Sequence, residues 1–350
     1  MLQESNNIVI SNRRITADAL AKLTEAQGRF AKRQRGAGRV ILKECDLATL
    51  DFSSSCFAGA HFIACDFSQA NLSDADFSKT VLFGSKFENA NLTRTNFEGA
   101  NLQAAVFDQA TLHDTRMTKA DIRKGTLIRG REKDGDAVYT EIETSFREAE
   151  LKGTNFENAS LRSVNFSGAT LDDVNLKGAD LSGSCFHGAE IKNVDISKAM
   201  TQDADFRSAS LDNVDLGENA GVLALTAPAK PINTKELVAI IQGHEAWVAS
   251  DGKEGKRASL NDQNLSGHDL TGRNLATISF NYTNLSGVCF SRAILAACTF
   301  QYANLRGANL SGSDLRGADF SNAVTTDANL EGCEIGVLSA TGRDTVLPNK

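Results

Sequence analysis

The chain has 350 residues, of which 41% are hydrophobic and 23% are charged, and its formal net charge is −7. This length accommodates two ordinary domains, and the negative charge disfavours generic binding to a nucleic-acid backbone. No run of residues approaches the roughly 18 apolar residues of a membrane span, and the presence of only 3 prolines argues against a disordered chain.

Residues 1–39 are predicted to form an N-terminal segment and a cap helix. The segment shows no apolar leader, and the 7 cysteines include no CxxC pair. An odd number of cysteines without a leader is typical of reduced thiols, so we expect a cytoplasmic protein. A helix is predicted over residues 15–34, where Thr16 is a suitable N-cap and Leu20 and Leu23 begin an apolar stripe.

From residue 40 onward the sequence repeats every five residues. A Leu or Phe marks the centre of each repeat, and the residue two positions before it is small. There are 18 repeats with centres from 42 to 127, 15 with centres from 146 to 216, and 16 with centres from 260 to 335. A period of five fits neither a helix nor a simple strand. It fits a coil with sides of five residues, each pointing one large and one small side chain inward.

The number of sides follows from the phenylalanines, which recur every 20 residues. Phe67, Phe87 and Phe107 are spaced in this way in the first run, and Phe280 and Phe300 are in the third. Neighbouring columns are aliphatic, so like residues lie above like residues after four repeats. A coil of four sides explains this pattern, with successive coils about 4.8 Å apart and phenylalanine rings stacked on one another.

An interruption over residues 128–145 separates the first two runs. Leu127 and Phe146 are 19 residues apart, one short of a full coil. We interpret the segment as one irregular coil with a protruding loop inside a continuous first β-helix over 40–217. The loop is either a solvated insertion or a partner-contact loop, because loops on rigid frameworks tend to carry recognition. Its candidate interaction residues are Arg129, Arg131, Glu132, Lys133, Asp134 and Asp136.

The same order of elements recurs in the second half of the chain. Residues 218–257 are predicted to hold a linker and a second cap helix over 234–249, whose apolar residues match those of the first helix. A second β-helix over 258–335 and a tail over 336–350 follow. The chain therefore contains two copies of one unit, in which a helix covers the apolar interior and unpaired strand edges at the end of a β-helix.

The repeats have a recognisable consensus, A(D/N)LXX, as in ANLSD, ANLTR and ADLSG. This pattern resembles the pentapeptide-repeat family over about 245 residues, counted as 49 repeats. The resemblance implies an all-β solenoid, a right-handed quadrilateral β-helix that is often dimeric and usually of unassigned function. We expect two such units, each preceded by an amphipathic α-helical cap.

Catalytic chemistry finds no support in the pattern. The 5 histidines share no metal-ligand spacing, and the many aspartates before repeat centres belong to the repeat itself. We therefore expect no catalytic residue, no metal and no cofactor.

Three small inward positions out of 49 depart from the repeat, since they hold Gln263, His268 and Arg273. These residues are consecutive in the first coil of the third run. A buried unpaired arginine is costly. They either bond the C-terminal carbonyls of the 234–249 helix and fix the cap, or form a site for a small anion or acidic peptide between cap and coil.

The sequence favours a non-enzymatic interaction scaffold that presents rigid faces to an unidentified protein partner, with no direct binding of nucleic acid or membrane. Some members of the family resemble DNA and act on gyrase, so one alternative is a DNA mimic that binds DNA gyrase or another type II topoisomerase. The three runs carry net charges of only −3, −5 and −2, with Lys and Arg interleaved, which weakens this alternative.

Two further alternatives remain open. A small-ligand binder or an enzyme would use the cap–coil junction near Gln263, His268 and Arg273. The apolar residues of the 336–350 tail either cap the last coil or pair two chains into a homodimer through the C-terminal end.

Overall fold

The repeats fold into coils in the computed structural model, which describes residues 7–131, 137–219, 232–339 and 341–347. The chain divides into two compact units, one built mainly on the first two runs of repeats and the other mainly on the third. Each unit is a β-helix preceded by a cap helix, so the predicted fold class is confirmed. The predicted domain boundaries stay a prediction.

Two α-helices are described, α1 over Ala17–Ala31 and α2 over Thr234–Ala249. Thr16 caps α1 as predicted, accepting a hydrogen bond from Ala19 N at 3.3 Å. Neither described helix is long and apolar enough to cross a membrane. A 3-10 turn spans Gly217–Asn219. The strands are β1 Ile8–Ser11, β2 Val40–Lys43, β3 His61–Ile63, β4 Gly125–Arg131, β5 Ala137–Ile142, β6 Thr144–Ser145, β7 Glu150–Lys152, β8 Val164–Asn165, β9 Thr170–Asp172, β10 Glu190–Lys192 and β11 Ser210–Asp212.

Each five-residue side ends in a tight turn. In the repeat around Phe52, Ser55 N donates to the Phe52 carbonyl at 3.0 Å, and Ser54 has a φ of 55°. A positive φ at the third residue is the mark of a type II turn, which explains the Gly, Asn and Asp residues at this position. Asp51 holds the turn from outside by accepting the Ser53 N–H at 2.9 Å.

Coils stack in parallel register 20 residues apart, which confirms the four sides. Asp51 pairs with Asn71, and Phe52 N donates to the Asn71 carbonyl at 2.7 Å. Inside, the rings of Phe67 and Phe87 stack with centroids 4.9 Å apart. Away from the ends of the stacks, the large inward side chains are almost completely buried, so the hydrophobic effect is the main source of each unit's stability.

The interruption is a β-hairpin and not an irregular coil. β4 and β5 pair in antiparallel fashion, and the β-helix continues beneath them, because Val106 pairs with Ser145 across 39 residues. Leu127 lies on β4, so its assignment as a repeat centre was wrong, while the prediction of a continuous β-helix was correct. The physical reason is the strand pattern of AVYTEI, whose β-branched and aromatic residues favour pairing with β4.

A short N-terminal strand, β1, was not predicted. It pairs in parallel with β2, with Ile8 opposite Val40 and Ile10 opposite Leu42. It thereby covers the exposed edge of the first coil. Four residues before a helix carry too little periodicity to reveal a strand whose partner lies 32 residues later.

The C-terminal tail adds a rung to the last coil of the second β-helix. Phe320 N donates to the Val346 carbonyl and Val346 N donates to the Ala318 carbonyl, both at 2.8 Å. The Thr345 hydroxyl donates to the Leu315 carbonyl at 2.8 Å. The cover is incomplete, because several apolar side chains stay 44–57% exposed, namely those of Ile335, Val337, Val346 and Leu347.

Candidate functional sites

The hairpin formed by β4 and β5 is the first candidate site. At its base the buried Thr144 hydroxyl donates to the Arg123 carbonyl at 2.8 Å and accepts the Ala104 N–H at 2.9 Å. These bonds tie the point where the chain leaves the coil to the point where it returns. Lys124 and Glu141 form an exposed ion pair of 2.6 Å across the same base.

Gly125 is required where the chain leaves the coil. A Cβ at this position would lie 2.6 Å from the Ala104 Cβ and 2.9 Å from the Phe83 ring. The path into the hairpin therefore depends on a residue without a side chain. Of the predicted interaction residues, Arg129 and Arg131 lie on β4. The other four lie outside the described residues, namely Glu132, Lys133, Asp134 and Asp136.

The second candidate site is the polar first coil of the second unit. Gln263, His268 and Arg273 are partly exposed here and not enclosed. One coil further on, the same inward positions hold Thr283 and Val288, which are completely buried. The small position of the repeat therefore points inward within the stack, as predicted. In the first coil, at the end of the stack, the same position faces the cap helix and is partly exposed.

The three polar residues do not bond the helix carbonyls in the hydrogen bonds of the described residues, so that detail was wrong. Arg273 instead pairs with the side chain of Glu245 on α2, with Nη1 and Oε2 3.4 Å apart. Gln263 donates to the Asn261 carbonyl at 3.4 Å, and His268 Nδ1 lies 3.0 Å from the Leu265 carbonyl.

A cavity of about 290 Å³ lies between α2 and this first coil. Its apolar side includes Leu237 and Ile241, and its polar side includes His268, Asp269 and Arg273. The Thr271 hydroxyl and N–H hold the pKa of Asp269 below its usual range, with Arg273 adding to the effect. Arg273 therefore faces two carboxylates, Asp269 and Glu245, so the cavity has no excess of positive charge for an anion.

The side chains that dock the cap helices were missed in the sequence. In the first unit, the buried Gln27 accepts the Val40 N–H at 2.8 Å and donates to the Ala58 carbonyl at 2.7 Å. In the second, the buried His244 accepts the Ala258 N–H at Nδ1 over 3.2 Å, and its Nε2 lies 3.1 Å from the Ala276 carbonyl.

These two residues are equivalent, since each is the eleventh residue of its helix. The sequence did contain a sign of these side chains. When the apolar residues of the two helices are aligned, Gln27 occupies the same position as His244. A polar residue on the buried face of both helices marks a buried hydrogen bond.

A metal ion has no assembled site in the part of the chain that the structure describes. No group of three or more His, Cys, Asp or Glu side chains there is placed to hold a metal ion. The aspartates before repeat centres hold turns, as Asp51 does with Ser53. Hydrogen bonds from Ser53 also hold the pKa of Asp51 below its usual range, which is the behaviour of a structural carboxylate.

The comparison with protein families decides the identity of the repeats. The profile of pentapeptide repeats matches the chain in 8 copies, which fall within residues 45–84, 60–99, 85–123, 142–178, 159–199 and 293–334. These segments cover more than half of the chain. The chain belongs to the pentapeptide repeat family.

Solved structures of pentapeptide repeat proteins are similar at low sequence identity. One is HetL, involved in heterocyst differentiation regulation in the cyanobacterium Nostoc sp. strain PCC 7120, with 18% identity, a TM-score of 0.32, and coverage of 94% of this chain and 99% of HetL. Another is QnrB1, a plasmid-mediated fluoroquinolone resistance protein, with 16% identity, a TM-score of 0.29, and coverage of 63% and 94%. A third comes from the thylakoid lumen of Arabidopsis thaliana, with 19% identity, a TM-score of 0.23, and coverage of 35% and 68%. The comparison with curated proteins gave no match.

Proposed function

We propose that this pentapeptide repeat protein is a non-enzymatic scaffold that binds a protein partner through the β4–β5 hairpin. The observation that carries the proposal is the pairing of Val106 with Ser145, because the coils stack directly beneath the hairpin. The rings of Phe107 and Phe146 also stack across the insertion, with centroids 4.5 Å apart. The core is therefore continuous without the hairpin, which is free to serve recognition.

The hairpin can be removed without stretching the chain. Gly125 and Ile142 are cross-strand partners, and a two-residue Asn-Gly turn closes such a pair in a β-hairpin. A variant in which Asn-Gly replaces residues 126–141 keeps Gly125, Ile142 and the two hydrogen bonds of the Thr144 hydroxyl. It removes both arginines of β4 and the predicted residues beyond them.

The test compares tagged full-length protein with this variant as baits in an extract of the native host. We expect a partner that is retained by the full-length protein and lost with the hairpin. The matched control is Arg94→Ala, which breaks an exposed ion pair with Asp74 on a β-helix face and leaves the hairpin intact. Equal retention of the partner by the hairpin-free variant would contradict the proposal.

A DNA mimic that binds gyrase is the weaker candidate. Its surface would need uninterrupted acidic stripes, whereas several aspartates here are neutralised by arginine. Arg94 lies 2.6 Å from Asp74, Arg123 lies 2.8 Å from Asp121, and Arg316 lies 2.7 Å from Asp314. We expect neither inhibition nor protection of gyrase supercoiling at micromolar protein, and a clear effect would favour the mimic over the scaffold.

A small-ligand site at the second cap–coil junction is another candidate, supported by the cavity beside His268. Its balanced charge favours an uncharged ligand with an apolar part. A metabolite screen by thermal shift would support it if one compound raised the melting temperature of the wild type and lost this effect in His268→Ala.

Homodimer formation through the C-terminal end is the fourth proposal. Ile335 and Val337 are 57% and 55% exposed beside the last coil, and a two-fold interface is the common way to bury such an end. Light scattering should give a dimer for the wild type and a monomer for the double variant Ile335→Lys, Val337→Lys. A monomeric wild type would assign the tail to capping alone.

A further inference from the structure

The bridge that docks α2 passes through the imidazole of His244. Nδ1 of this histidine receives the Ala258 N–H, so it cannot itself carry a proton. The proton of the neutral ring therefore lies on Nε2, which faces the Ala276 carbonyl. A second proton, on Nδ1, would direct the imidazole N–H at the Ala258 N–H. His244 is 0% exposed, so no solvent separates the two donors.

The charged groups around the ring do not offset this conflict. Burial is the main cause that lowers the pKa of His244, and Arg257 in the loop after α2 lowers it further. The Ala276 carbonyl and Glu245 act in the opposite direction, but Glu245 is engaged with Arg273 of the first coil. The ring of Trp247 stacks beside His244 with centroids 5.8 Å apart.

The first unit shows the same bridge without a titratable group. Gln27 joins Val40 N and the Ala58 carbonyl with an amide, which gains no proton between pH 8 and 5. The bridging side chain of the α1 cap therefore takes up no proton over this range, whereas that of the α2 cap can. A titratable group beside the α1 cap is His61, whose Nε2 lies 2.7 Å from Nη1 of Arg39, and Arg39 lies over the Phe30 ring of α1.

We propose that acidification shifts the α2 cap towards release from the second β-helix through protonation of His244, whereas the Gln27 bridge of the α1 cap takes up no proton. Release would uncover the apolar end of the second stack, including Leu260 and Leu265, which are at most 1% exposed when α2 is in place. The device is a pH-controlled exposure of the apolar end of the second stack.

The pH window follows from linkage. A histidine whose pKa is lowered in the docked state binds fewer protons there than in the released state. The cap is therefore at full stability above the free histidine pKa of about 6.5. Below that value the docking equilibrium weakens by about tenfold per pH unit, until the pH reaches the lowered pKa of the docked histidine.

Hydrogen–deuterium exchange on the full chain tests the proposal. Protection factors, corrected for intrinsic exchange, are compared for α1 and α2 at pH 8 and pH 5.5. We expect the protection of α2 to fall by up to about tenfold. The protection of α1 should stay constant in a His61→Asn background, which removes the histidine that faces Arg39. The fluorescence of Trp247, the single tryptophan of the chain, independently reports protonation of the stacked imidazole.

The matched variants exchange the two bridges. His244→Gln should abolish the pH dependence of α2, and Gln27→His should confer it on α1. If His244→Gln fails to dock at pH 8, the Gln27→His variant decides the matter. A pH-independent wild-type α2, a dependence that persists in His244→Gln, or a Gln27→His helix that ignores pH would each overturn the proposal.

Discussion

The two cap–coil junctions follow one plan but rest on different surfaces. Each cap helix is fixed by the eleventh residue of the helix, which bridges two backbone groups of the β-helix. In the first unit, two inward positions of the first coil are apolar and closed, since Val40 and Cys45 are at most 1% exposed. In the second, the matching coil is polar and open, with Gln263 at the position of Cys45.

The comparison shows that both caps need the bridging side chain, whereas the surface beneath the helix differs between the units. The bridging side chain is needed in both units, because two buried backbone groups would otherwise lack partners. The surface beneath the helix differs between the units. In the first unit, β1 closes the edge of the first coil as well. In the second unit, the contact described at the corresponding edge is a single bond from Ile232 N to the Asn264 carbonyl at 3.0 Å.

The largest expected effect comes from removing the bridge in either unit. Gln27→Leu and His244→Leu should each lower the free energy of cap docking by about 2–5 kcal/mol at pH 8, because each leaves a buried N–H and a buried carbonyl unpaired. Exchange of the helix amides measures this loss locally. A loss below about 0.5 kcal/mol in either unit would show that the bridge does not hold that cap.

A smaller effect is expected when the surfaces beneath the helices are exchanged. Cys45→Gln should destabilise the first unit by about 1–3 kcal/mol, since it buries an amide without partners. Gln263→Cys should change the second unit by less than about 0.5 kcal/mol, because the position is already partly exposed. Urea unfolding of the two variants measures both values, and similar losses would contradict the distinction between a closed and an open junction.

The smallest effect is expected at the ion pair of the second junction. Arg273→Ala should cost less than about 1 kcal/mol, because the arginine side chain is 42% exposed and its partner Glu245 is 29% exposed. The Tm should accordingly fall by a few degrees at most. A loss of several kcal/mol would restore the prediction that Arg273 fixes the cap.

The sequence predicted the fold well where the pattern is periodic. The five-residue repeat and the 20-residue spacing of Phe67, Phe87 and Phe107 predicted the coil of four sides, because each inward position is repeated many times. The cap helices were also predicted, with Thr16 as the N-cap of α1. The position of the insertion was predicted, but its β-hairpin structure was not, because a single insertion has no repeated pattern that would indicate its strand pairing.

The candidate sites were predicted less well because they depend on long-range contacts. Gln263, His268 and Arg273 stood out by breaking the repeat, but only the structure shows that Arg273 pairs with Glu245 28 residues away. The bridge of Gln27 reaches the Ala58 carbonyl 31 residues later. Such a contact follows from the position of the helix over the coil, which local patterning does not specify.

The Tm of the variant in which Asn-Gly replaces residues 126–141 tests the central claim most directly, namely that the hairpin is carried by a β-helix complete without it. The stacking of Phe107 on Phe146 and the pairing of Val106 with Ser145 predict a Tm within about 2 °C of the wild type, with equal cooperativity. A fall of 8 °C or more, or loss of the cooperative transition, would show that the hairpin is part of the core fold and contradict its assignment as a dispensable recognition element.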